Sequence, residues 1–193
     1  QAKTPAERIT LRGFSVQATT TPLKPGGFSA GQYDGAVSLA HAQSCAVENV
    51  EICNVGGQAV KSWNLKACRI SGCRIHDVGA CGIRTGGDDC VIASNRIHHV
   101  GLYQPSAVAL QFGHSYSEAN PKGYHIFRNE IHDAPYSGMT ASGGGHRIEE
   151  NLIYRVMREL HDGAAIYGML KHSVLCGNVV RDVVEVGKGY GAS

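Results

Sequence analysis

The chain's 193 residues suffice for one domain with a buried core. Charged residues are 18% and aromatic residues 7% of the total, and the net charge is +2, which excludes the dense basic face that nucleic acid requires. No apolar run reaches the length of a membrane span and no charged-then-apolar leader opens the chain, so neither nucleic acid nor membrane is an expected partner.

At the N-terminus, Gln1 in place of an initiator Met points to a processed or excised product. Ile9, Leu11, Phe14 and Val16 have the spacing of inward residues in a coil of short strands. The Pro- and Gly-rich stretch 21–35 is expected to be an inserted loop. Beyond it one phrase returns, as Ser71-Gly72-Cys73-Arg74-Ile75-His76-Asp77-Val78-Gly79, Ser94-Asn95-Arg96-Ile97-His98-His99-Val100-Gly101 and Arg128-Asn129-Glu130-Ile131-His132-Asp133-Ala134. Its central aliphatic sets a register of Ile52, Ile75, Ile97, Ile131, Ile153 and Val180, spaced by 23, 22, 34, 22 and 27 residues. A period of about 22 residues with two insertions identifies a solenoid. The second insertion covers about residues 101–123 and includes Tyr103, Gln104 and the polar run from His114 to Gly123. Loops of that length on a compact stack often serve binding.

Columns around the register mark repeat as well. Five residues before it stand Val47, Ile70, Ile92, Ile126, Ile148 and Leu175; three after it stand Val55, Val78, Val100, Ala134, Val156 and Val183. Short Ile/Val spans alternating with polar residues, punctuated by Gly, Asn and Asp, have strand-and-turn spacing. The expected fold is therefore all-β, a right-handed parallel β-helix of about seven coils forming a single domain over residues 1–193. The lack of capping elements at either end marks it as part of a larger protein. The rest of the parent chain, or a second polypeptide, would complete the solenoid.

The column Asn95, Asn129, Asn151 and Asn178 is expected to form an internal amide ladder. Seven residues before the mark, Cys45, Cys68 and Cys90 should stack as small inward side chains, unpaired, because an odd total of seven cysteines does not suit a disulfide scaffold. The repeated His76-Asp77 and His132-Asp133 pairs, with His98-His99, are read as structural, the carboxylates tying down backbone amides and the imidazoles stacking.

A further strand follows each mark. Alternation turns Val37, Val60, Ile83, Val108 and Met139 inward and Ser38, Lys61, Arg84, Ala109 and Thr140 outward, with Trp63, Gly86, Gln111, Ser142 and Tyr167 one outward step on. Such a mixed face suits a polar polymer.

The phrases Ile75-His76-Asp77-Val78-Gly79, Pro105-Ser106-Ala107-Val108, Asn129-Glu130-Ile131-His132-Asp133-Ala134-Pro135-Tyr136-Ser137-Gly138 and Asp162-Gly163-Ala164-Ala165-Ile166-Tyr167-Gly168 resemble bacterial β-helical glycoside hydrolases of the xylosidase and fucosidase type. The resemblance runs from about residue 36 onward. The same repeat also serves polysaccharide lyases, epimerases and phage tailspikes. It implies a secreted, periplasmic or cell-surface enzyme acting on a polysaccharide or oligosaccharide, with Asp162 as a catalytic carboxylate. Glycoside hydrolysis needs two carboxyl groups, and Glu159 and Asp133 are the nearest partners in sequence and on the preceding coil. In the family the second acid tends to come from the following coil. A turn Asp accepting backbone N–H bonds is the alternative for Asp162. One-off polar residues, namely His114, Tyr136, His161, Tyr167 and Lys171, are substrate-binding candidates alongside Gln111, Arg84 and Trp63. Arg84 and Lys61 would suit an acidic sugar. No metal or cofactor is expected for a hydrolase; a lyase would bring Ca²⁺. The remaining alternative is a non-catalytic stack binding carbohydrate.

Overall fold

A computed structural model describes residues 4–113 and 121–183 of the chain. Each coil contributes to each of three parallel sheets, and each sheet passes through seven coils; in sheet A one coil gives two strands, Ile83–Thr85 and Gly87–Asp88, both paired with Gln58–Lys66. Sheet A contains Ala6–Glu7, Gly35–Gln43, Gln58–Lys66, Ile83–Thr85, Leu110–Phe112, Met139–Gly144 and Ile166–Lys171. Sheet B runs from Thr10–Arg12 through Ala46–Glu48, Arg69–Ser71, Val91–Ala93, His125–Phe127 and Arg147–Glu149 to Val174–Cys176. Sheet C runs from Ser15–Gln17 through Glu51–Val55, Arg74–Val78, Arg96–His98, Glu130–His132 and Leu152–Val156 to Val179–Val183. The described residues contain one 3-10 turn, at Phe28–Ala30, and no helix long and apolar enough to cross a membrane.

The register marks pair with one another through sheet C, from Val16 and Ile52 to Ile153 and Val180. The column five residues earlier does the same through sheet B. From Val47 to Ile153 these two columns are at most 4% exposed. Each buried Ile contributes about 1.5–3 kcal/mol.

A single left-handed residue turns the chain from sheet B to sheet C in every coil: Gly13, Asn49, Gly72, Ser94, Arg128, Glu150 and Gly177 all have φ between 52° and 72°. The conformation costs a non-glycine residue about 1–2 kcal/mol. The amide ladder beside it offsets that cost. The Asn129 backbone N–H donates to Asn151 Oδ1 at 3.0 Å, and its Nδ2 donates to the same oxygen at 2.9 Å and to Ile92 O at 3.0 Å.

Cys45, Cys68 and Cys90 are buried and all seven thiols are free. Burial raises the Cys90 thiol to about 11, so it stays protonated and unreactive. Not every cysteine faces inward: Cys176 is exposed, and Cys53 falls in the outward column of sheet C, paired with His76.

That outward column carries the imidazole stack. His76, His98 and His132 lie parallel at centroid separations of 5.1 and 4.7 Å, and Tyr154 continues them at 4.7 Å with the guanidinium groups of Arg155 and Arg181 against its ring. The aspartates bond to side chains where backbone amides were expected. Asp77 accepts from His76 Nδ1 at 2.8 Å, and Asp133 accepts from His132, Arg155 and Arg158.

Sheet A corrects two alignments. Leu110 pairs with Ile83 and Gln111 with Arg84, not Val108 and Ala109. Val108 and Ala109 are themselves 0% exposed, packed into the turn, where Val108 N–H meets Cys81 Sγ at 3.4 Å, so the strand begins two residues later. Tyr167 pairs with Thr140, one outward step earlier than counted. The 101–123 interval is thus interrupted by a sheet A strand.

Candidate functional site

The turns from sheet C to sheet A all emerge along one edge of sheet A, and beside them runs one outward row: Lys61, Arg84, Gln111, Thr140 and Tyr167, paired in sequence. The two ends of the row differ.

At the Lys61 end the first inserted loop lies over the row. Lys61 Nζ donates to Tyr33 O at 2.7 Å, Arg84 Nη1 to Ser29 O at 3.3 Å and Gln111 Oε1 at 2.8 Å, and Gln58 Nε2 to Tyr33 O at 2.8 Å. Ala30 and Tyr33 pack with Ala80, Cys81 and Ala107 in a small second core beneath the loop. Desolvation lowers the pKa of Lys61, although Asp34 opposes it.

Among the described residues, the other end of the row is open. Tyr167 is 44% exposed. A cleft of about 30 Å³, lined by Gln111, Tyr136, Thr140 and Tyr167, opens onto the sheet. Thr140 Oγ1 is buried there with no protein partner among the described residues. Asp162 and Glu159 are exposed on the turn leading into Ile166–Lys171, three residues apart. The turn is anchored: Glu159 N–H donates to Pro135 O at 2.9 Å, and the Tyr136 hydroxyl donates to Asp162 O.

The structure thus places Gln111, Tyr136 and Tyr167 around the cleft, with Asp162 on the turn that Tyr136 holds and Glu159 three residues earlier on that turn. His161 lies on the same turn, half-buried, with Nδ1 unpartnered among the described residues. Tyr136 is 7% exposed, lines the cleft and holds the turn by its hydroxyl. Arg84 is committed to the inserted loop. Trp63 is exposed but pairs with Ala40, four coils from Tyr167, which is about 19 Å at the usual strand spacing. Lys171 is exposed four residues along the strand from Tyr167, about 13 Å away. Asp133 is occupied elsewhere: the Arg155 guanidinium foremost, then His132, hold its carboxyl far below the usual range, and Arg158 adds a 2.8 Å ion pair. His114 lies outside the described residues. Among the described residues no cluster of three or more His, Cys, Asp or Glu could hold a metal ion. Sequence reasoning missed Thr140 Oγ1 and Gln58. Gln58 was discoverable as a polar residue directly before the inward apolar pair Ala59-Val60 at the head of its strand.

The chain matches no protein-family model and no curated protein. Among solved structures, one described as a glycoside hydrolase superposes on 79% of this chain with a TM-score of 0.68 at 19% identity. The chain is a right-handed parallel β-helix. It spans 30% of the length of that hydrolase. The A-module of a mannuronan C-5 epimerase from Azotobacter vinelandii aligns over 98% of this chain and 78% of its own at 12% identity, with a TM-score of 0.40.

Proposed function

We propose that this β-helix is a carbohydrate-active enzyme that hydrolyses glycosidic bonds at the open end of the sheet A row, in the extracellular, periplasmic or cell-surface compartment. The observation that carries the proposal is the exposed Asp162 carboxylate on a turn pinned through its own carbonyl by Tyr136, beside a cleft lined by Thr140 and Tyr167. Asp162 donates a proton to the glycosidic oxygen, Glu159 acts as base or nucleophile on the same turn, and Tyr167 supports the sugar ring. The likeness to a solved glycoside hydrolase supports the β-helical scaffold for this reading. A lyase acting on uronates is the weaker alternative, because Lys61 and Arg84 direct hydrogen bonds to loop carbonyls instead of an open groove.

Incubation with xylan, mannan, a fucosylated oligosaccharide, alginate and polygalacturonate tests the proposal. The expected products carry saturated ends, and Asp162→Asn should lower kcat by about 10²–10⁴-fold. Ultraviolet-absorbing unsaturated uronates, lost on adding a chelator, would replace hydrolysis with lyase chemistry. Saccharide binding with no turnover and no effect of Asp162→Asn would make the chain a binding module.

A further inference from the structure

We propose that the cleft between the two inserted loops binds one neutral pyranose unit of a saccharide, at a site separate from the sheet A row. The inference goes beyond the hydrolytic proposal and does not rest on it. The cleft encloses about 520 Å³, within the range of small-ligand sites.

Both walls are hydrogen-bonded to the coils, so the cleft exists before any ligand arrives. Gly56 N–H donates to Thr19 O at 3.0 Å, holding the first wall; Leu102 N–H donates to Val78 O and Tyr103 N–H to Gly79 O, both at 3.1 Å, holding the second. A Cβ on Gly79 would stand 2.6 Å from the Tyr103 ring, so glycine there lets the ring lie down on the backbone. The ring rests against that backbone, yet Tyr103 is 65% exposed, with Leu102 at 54% and Leu23 at 87%.

Apolar surface of this kind, carried on hydrogen-bonded backbone and left in water, suits a ligand with a flat apolar face. The rim supplies the other half of the chemistry. Thr19, Thr20, Thr21, Asn54 and Gln104 offer hydroxyl and amide groups, and the one formal charge in the lining is Asp77. Hydroxyls around an apolar ring face are the chemistry of a pyranose. With a carboxylate and no cation in the lining, a neutral sugar is favoured and a uronate repelled.

The test measures binding of xylohexaose, mannohexaose and hexagalacturonate to the full chain carrying Tyr167→Ala, which removes the exposed ring of the sheet A row. We expect a neutral hexasaccharide to bind this variant, and the addition of Tyr103→Ala to weaken it at least tenfold. Leu102→Ser, on the same wall, should weaken it at least threefold. Thermal unfolding should be unchanged by either, because both side chains are largely solvated. Unchanged affinity after both substitutions would overturn the inference, as would preference for hexagalacturonate or no binding of any probe. Uptake of a hydrophobic dye that no saccharide displaces would assign the cleft to an apolar ligand instead. Absence of turnover by the chain with Tyr167 intact, alongside this binding, would count against the hydrolytic proposal alone.

Discussion

The Tyr136 hydroxyl donates to the backbone carbonyl of Asp162, tying the turn before one sheet A strand to the turn before the next. Burial, followed by the neighbouring Asp162, raises the Tyr136 pKa, so the hydroxyl remains a donor at neutral pH. Tyr136→Phe removes this bond and little else. Stability should fall by about 1 kcal/mol. If Asp162 transfers the proton, kcat should drop about five- to tenfold with KM nearly unchanged, because positioning is lost and binding is not. Steady-state kinetics on the best substrate of the polysaccharide panel check this.

Acid should weaken the fold through the imidazole stack. His98 lies between the His76 and His132 rings with His99 bonded to it at 2.7 Å, and desolvation first, then His132, His99, His76 and Arg96, lower its pKa from 6.5 to about 4. The unfolded chain therefore takes up this proton before the native state does. The contribution of His98 is complete above about pH 6.5, shrinks as pH falls, and is lost by about pH 4. Discounted for solvent screening, the loss is roughly 1 kcal/mol. Asp133, whose pKa is depressed chiefly by Arg155, adds a loss in the same direction as its carboxylate protonates at still lower pH. Urea midpoints measured from pH 7 to 4 should show the decline, and His98→Phe, which stacks without titrating, should flatten it.

The amide ladder should be strongest in its middle. Asn129 is 1% exposed and bonded on both sides, whereas Asn178 has a neighbouring Asn on one described side. Asn129→Ala leaves the backbone N–H of Asn95 without its acceptor. It should cost about 2–4 kcal/mol. Asn178→Ala should cost about half as much by the same urea titration.

Arg84 should prove to be a clamp on the first inserted loop. With Arg84→Ala, the bonds to Ser29 O and Gln111 Oε1 are lost, while Lys61 and Gln58 still hold Tyr33 O. Thermolysin should cleave within residues 21–35 at least about fivefold faster. Arg84→Lys should not restore protection, because an ammonium lacks the planar fork that reaches two acceptors at once.

The repeat was enough to specify the coil count, the register of sheets B and C, and the Asn, Cys and His columns. Each depends on residues that recur at a constant offset from one aliphatic mark, so local spacing alone decides which side faces the core. That Glu159, His161 and Asp162 share one turn was legible because they are neighbours in sequence. The alignment of Gln111 and Tyr167 with Arg84 and Thr140 was not, because irregular turns precede those strands and only hydrogen-bonded pairing reveals where each one starts. The same holds for the cover over Lys61 and Arg84, the ion pairs around Asp133, and the Tyr136 bond to Asp162. These link residues 22 to 55 positions apart. They are set by which coil stacks on which and how an inserted loop folds back, neither of which a periodic pattern encodes.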